Sequence, residues 1–262
     1  MWNLIRATAR QALRNKILLG MVVFMLLMSL AGTGFFSESG NNQSASQYAG
    51  NWFSSVSGFL SILSGVVVGV VCGGDLDDKT ANYEILYGKK RSQVYFSRVL
   101  VAFVFALIAA LLLITLPLLF LTAKNGWGGS LTVQNAVLHG VMMFPAFCRM
   151  LCFFIALTFI STSMLPAFAA GFLKTLPLMF VNMMLELSGT DFRVTWQTAL
   201  NDLIRLQDFS NYTTGMFEGA EIGIYKAELT REVITQSLLC SVGFGLFWLL
   251  LGFFVFRKKD LK

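Results

Sequence analysis

Six stretches of roughly twenty mostly apolar residues, at 17–36, 54–73, 99–122, 137–160, 166–187 and 236–256, constrain this chain more than any other feature. A bilayer core needs about 20 such residues per helix, because hydrocarbon offers no partner to an unpaired backbone group. The runs are continuous rather than alternating, which argues against membrane strands. Charged residues make up 13% of the 262, about half of the roughly 25% usual in a soluble domain. That excludes a disordered chain, a coiled coil and an ordinary water-soluble enzyme. The expected fold is an all-α integral membrane protein, one domain over 1–262 with six transmembrane helices.

The net charge of +6 sits in short segments between the apolar runs, which suits a membrane protein and not a nucleic-acid-binding face. Arg6, Arg10, Arg14 and Lys16 precede the first run. Lys79, Lys89, Lys90, Arg91 and Arg98 separate the second from the third, and Arg257, Lys258, Lys259 and Lys262 end the chain. The odd-numbered connections are poorer in Lys and Arg, so the charge rule places both termini in the cytoplasm and 188–235 outside. An even number of spans agrees. Ser29-Leu30-Ala31 resembles a signal-peptidase site, but the basic start is long and the apolar run continues past it; the first span is read as uncleaved.

Between the spans, residues 1–16 place Arg6, Arg10 and Arg14 on one helical stripe and Trp2, Ile5, Ala9 and Leu13 on another. This is the pattern of a helix lying at the membrane interface against anionic lipid headgroups, or of a plain positive-inside anchor. In the second span, Ser57, Ser61, Gly65, Gly69 and Gly73 put a small residue at every fourth position, which lets another helix approach closely. The partner is a helix of the same subunit or, less commonly, a second copy. The 188–235 segment is too long for a turn. Trp196, Leu200, Leu203 and Ile204 recur at helical spacing, so it is read as short amphipathic helices on the outer surface. Asn42-Gln43-Ser44 and Asn211-Tyr212-Thr213 match a glycosylation sequon too short to carry an argument.

Catalytic chemistry is hard to assemble from these residues. Cys72, Cys148, Cys152 and Cys240 fall in or beside the spans, and with His139 the only histidine no zinc set forms. They read as small apolar filler. Gly88-Lys89-Lys90 lacks the rest of a phosphate loop, and neither a Gly-x-Ser-x-Gly elbow nor a His-Glu-x-x-His pair occurs. The expectation is a non-enzymatic chain with no cofactor or metal of its own. Arg149 and Lys174 lie inside the fourth and fifth runs, each about a dozen residues from the turn near Thr162. Two cations at similar depth need water, an acid or an anionic substrate. They are candidate pathway residues, with snorkelling and carbonyl pairing as the plainer alternative. Glu186 sits near the outer end of its span, where it can reach water.

The most informative segment is 74–98, between the second and third spans. Thr80 to Tyr87 can form a short helix with Gly88 as its stop, and a basic helix from Lys89 to Arg98 leads into the third span. Here the chain resembles the permease subunits of ABC-2 type ABC transporters. Their loop commonly reads acid, four residues, Thr, then Leu, one residue, Gly, two residues, Arg, and a basic residue seven further on. Asp75, Thr80, Leu86, Gly88, Arg91 and Arg98 stand at those places. Members usually carry glycine just before the threonine; this chain has Lys79.

The resemblance covers the architecture of nearly the whole chain and about 25 residues of motif. It implies a mechanism. Two permease subunits, identical or related, would associate with two separate ATPase subunits that hold ATP and Mg. The loop around Thr80 to Tyr87, with Tyr83 and Glu84, would be the coupling helix seated in an ATPase cleft. Such permeases mostly export, and the short form resembles the branch tied to peptide antibiotics in bacterial cytoplasmic membranes. A carrier driven by an ion gradient is the main alternative, although the three-plus-three spans show no clear internal repeat. A membrane scaffold or sensor is the other.

Overall fold

A computed structural model describes residues 2–31, 33, 44–128, 132–173 and 231–259. Their regular secondary structure is all helix, with no strand among them. In chain order the helices are α1 (Trp2–Arg14), α2 (Lys16–Ala31), α3 (Ala45–Val68), α4 (Gly74–Asp77), α5 (Thr80–Leu86), α6 (Arg91–Asn125), α7 (Val133–Ser161), α8 (Leu165–Leu173) and α9 (Arg231–Lys258). A π-helical turn, Gly69–Gly73, joins α3 to α4. Four helical segments are long and apolar enough to cross a membrane, or five if the bent pair α1 and α2 counts as one span. Helix occurs at each of the six expected positions. The fifth, however, is described only as α8, and Lys174, Glu186 and 188–230 lie outside the described residues.

Two junctions follow from local chemistry. Asn15 separates α1 from α2, and its side-chain Oδ1 accepts from the backbone N–H of Ile17 (2.9 Å) and Leu18 (3.2 Å). It caps the orphan donors of α2 at a 62° bend. The basic helix expected before the third span and the span itself are one unbroken helix, α6, of 35 residues. At 1.5 Å per residue it is about 50 Å long, well beyond a hydrocarbon core of about 30 Å. Its first two turns therefore have room to extend past the apolar layer.

The small-residue stripe of α3 packs on α8. Ser61 Oγ donates to the carbonyl of Gly171 at 3.3 Å. A Cβ on Gly65 would lie 2.6 Å from the Ala167 carbonyl oxygen, and one on Gly73 would lie 2.4 Å from Met164 Cα. Gly69 faces Met164 and Phe168. A side chain at Gly65 or Gly73 does not fit without moving backbone. Ser57 belongs to α3 by its backbone, and its side chain lies outside the described residues.

The helices alternate in direction, so one end of the molecule collects α1, α4, α5, the start of α6, the α7–α8 turn and the end of α9. Hydrogen bonds tie that end together. Arg91 Nη1 donates to the carbonyls of Phe256 (3.3 Å), Arg257 (3.0 Å) and Lys259. Lys259 Nζ donates to Ile160 O at 2.6 Å, and Asp77 Oδ2 accepts from Met164 N at 3.1 Å. Cations on the last carbonyls of a helix satisfy groups that have no partner within it. Just inside, Tyr95 packs on Phe159 (centroids 4.6 Å) and Phe253 (5.5 Å), while its hydroxyl donates to Leu249 O at 2.8 Å. This joins α6 to α7 and α9 through rings, with the one polar atom satisfied.

Candidate functional site

The 74–98 segment folds into two layers with opposite chemistry. Its anchor is Arg98, fully buried in the second turn of α6. Arg98 Nε donates to Asp75 Oδ2 at 2.8 Å, and Nη1 lies 2.9 Å from Glu84 Oε2. The Asp75 contact is an aligned hydrogen bond. The Glu84 contact is a charge pair without hydrogen-bond alignment, and Nη2 has no partner among the described residues. Asp75 is itself buried and accepts a second bond, from Gln11 Nε2 of α1 at 2.7 Å. One guanidinium thus gathers α4, α5 and α6, and its carboxylate partner adds α1.

Around this cluster α5 is amphipathic in register. Ala81, Glu84 and Ile85, at positions i, i+3 and i+4, turn inward, with Ala81 fully buried. Tyr83, Leu86 and Tyr87 share the opposite stripe and are 59%, 80% and 86% exposed. Three large side chains, two of them aromatic, are presented outward on adjacent turns, in an arrangement suited to an interface anchor. Thr80 opens the helix half-buried. Gly88 ends it at φ 85°, and its N–H bonds Ile85 O at 3.0 Å. Exposed Lys89 and Lys90 follow.

Lys79 holds φ 56° and ψ 13°, in the left-handed region. Glycine adopts that conformation without a Cβ penalty, so a glycine here would suit the backbone better than the lysine present. The reversal from α4 into α5 depends on this residue.

The residues singled out from sequence divide by placement. Asp75, Glu84 and Arg98 converge. Tyr83 and Leu86 face outward. Arg91 lies apart from the cluster and closes the end of α9. Arg149 is buried in α7 at its contact with α9, where Gly245 comes close to its Cα. Lys174 lies outside the described residues, so no geometry joins it to Arg149. Two members of the arrangement were not singled out, Gln11 and Asp77. Gln11 sits 64 residues from its partner on a helix whose arginines dominate the sequence pattern. Asp77 is one of three acids in Asp75-Leu76-Asp77-Asp78, and only position relative to the fold separates their roles.

Cys72 and Cys152 are buried free thiols, and Cys148 is half-buried. Among the described residues no group of three His, Cys, Asp or Glu side chains is placed to hold a metal ion. No protein-family model matches the chain, and a search of curated proteins finds no relative.

Proposed function

We propose that the chain is the permease subunit of an ATP-driven exporter of the ABC-2 type, coupled to a separate ATPase through α5. The observation that carries this reading is the layering of the 74–98 segment. Asp75, Glu84 and Arg98 are spent inward, on fixing the short helix to α1, α4 and α6. Tyr83, Leu86 and Tyr87 are turned outward at the end of the molecule that holds α1 and the end of α9. A solvated turn has no reason to expose Tyr83, Leu86 and Tyr87 together. A helix that seats in a partner's cleft does, and a rigid base under it converts movement of the partner into movement of the spans.

In this reading there are six spans, with both termini cytoplasmic and 188–235 outside. ATP and Mg belong to the partner, and two permease subunits complete the pathway in a bacterial cytoplasmic membrane. An amphipathic compound such as a peptide antibiotic is the expected substrate class. Arg149, with Lys174, lines the pathway.

The test is copurification from the native membrane in mild detergent, with ATP hydrolysis measured on what is recovered. Truncating a buried aromatic anchor at an interface costs about 2 kcal/mol or more. The double variant Leu86→Ala/Tyr87→Ala is therefore expected to weaken ATPase association at least about thirtyfold while the permease stays folded. Undiminished association and nucleotide turnover in that variant would remove α5 from the coupling role. A chain that purifies with no ATPase at all would end the reading.

A further inference from the structure

Helix α1 presents three faces. Thr8 and Ala12 are buried against the bundle, where α1 packs on α6. Gln11, on one flank of that face, reaches Asp75. On the far side Arg6, Arg10 and Arg14 form an exposed stripe, and none of them makes an ion pair with the described residues. No acid occurs before Glu38 in the sequence, so nothing nearby along the chain neutralises them.

Beside the stripe, on the other flank, Trp2 and Leu13 are exposed at 73% and 56%. Beyond the 62° bend at Asn15 this apolar flank is followed by exposed Ile17, Val23 and Phe24 of α2. A basic stripe running alongside an apolar flank, on a helix turned away from its span, is what headgroup-level placement requires. Arginines meet phosphates, while Trp2 and Leu13 enter the acyl boundary. A soluble acidic partner would account for the arginines, but not for an exposed apolar flank that leads into the span.

We infer that the Arg6–Arg10–Arg14 face binds the anionic phospholipid headgroups of the bilayer leaflet it lies on, and that this contact holds α1 against the Asp75–Arg98 cluster through Gln11. The inference rests on the membrane-spanning part of the reading above and is independent of the ATPase. Each basic residue at an anionic surface contributes about a fivefold preference, so three supply on the order of a hundredfold.

The experiment uses the full chain in mild detergent, titrated with phosphatidylglycerol or phosphatidylcholine, with retained lipid counted by native mass spectrometry. The wild-type chain is expected to prefer phosphatidylglycerol strongly. The triple variant Arg6→Gln/Arg10→Gln/Arg14→Gln should lose most of that preference. A control, Lys89→Gln/Lys90→Gln/Lys258→Gln, removes three exposed cations elsewhere and should keep it. Equal loss in the control, or an undiminished preference in the α1 variant, overturns the assignment. Displacement of the lipid by inorganic phosphate at matched concentration overturns it in favour of a small-anion site. Recovery of an acidic protein that the α1 variant releases, with lipid preference unchanged, overturns it in favour of a protein surface.

The link to the cluster is read separately, as protection of buried Cys72 from maleimide. Phosphatidylglycerol should raise protection in the wild type. In Gln11→Ala it should not, although lipid is still retained; equal gains in both sink the link. Failure of the wild-type chain to enter bilayers of either composition would overturn the membrane reading itself, a result distinct from all of these.

Discussion

Removing Asp75 tests whether the Arg98 cluster holds this end of the molecule together. Asp75→Ala deletes the 2.8 Å charged hydrogen bond to Arg98 Nε and the 2.7 Å acceptor used by Gln11. Losing one partner of a buried ion pair costs about 3–5 kcal/mol, because the other charge stays out of water uncompensated. Glu84 remains 2.9 Å from Nη1, which places the expected cost near the lower end, about 3 kcal/mol. The Gln11 bond adds only a few tenths to about 1 kcal/mol, since its amide is exposed and can turn to water. Arg98→Met should cost a similar amount by stranding Asp75, whose side chain is 4% exposed. The double variant removes both charges and leaves Glu84 free to hydrate. It should be no less stable than either single variant, a coupling of about 3 kcal/mol. The assay is equilibrium unfolding in mixed micelles of rising sodium dodecyl sulfate, followed by far-ultraviolet ellipticity and by thiol reactivity of Cys72. Strict additivity of the two single costs, within about 0.5 kcal/mol, would refute the claim that these side chains act as a pair.

Two further substitutions probe the backbone. Gly65→Ala should destabilise by about 1–3 kcal/mol, as overpacking does, because its Cβ would stand 2.6 Å from the Ala167 carbonyl oxygen; Gly20→Ala, with nothing within 4 Å, is the matched control, and equal midpoints for the two would refute the seam. Lys79→Gly should leave stability unchanged or raise it, while Lys79→Val should be less stable than Lys79→Gly by about 1–2 kcal/mol or more, measured by the same unfolding titration; a valine as stable as the glycine would show that the left-handed turn does not govern the α4–α5 reversal.

Much of the local structure was legible because it is written in neighbouring residues. The change from the 1–16 helix to the first span, the short helix closing at Gly88 and the stripe of small residues in α3 all rest on spacings of a few positions. The cluster was not legible in that way. Asp75 and Arg98 were singled out, yet nothing in their spacing of 23 residues states that they touch; the contact exists because α4 and α5 fold back beside the start of α6. Glu84 reads in sequence only as a member of the coupling segment, and its position three after Ala81 brings it to within 2.9 Å of Arg98. Arg91 looked equivalent to Arg98 in charge, and what separates them is the distant end of α9. Long-range partners of this kind depend on tertiary placement, which local pattern does not encode.

The π-turn at Gly69–Gly73 has a consequence for how the chain tolerates changes in length. Contacts spaced by four residues drift about 40° per step around a regular α-helix. From Ser61 to Gly73 that drift would reach about 120° and carry Gly73 away from α8. The wider turn absorbs one extra residue, returning about 100°. Gly73 therefore still meets Met164, while Asp75, two residues on, meets Arg98 from another side. The turn is a spare count in the register. Losing one residue from it would restore an ordinary helix with both anchors in place. One added residue has no comparable refuge between the seam and the cluster. Insertions and deletions in this stretch are thus unequal events, and the fold can shed length here more readily than it can gain it.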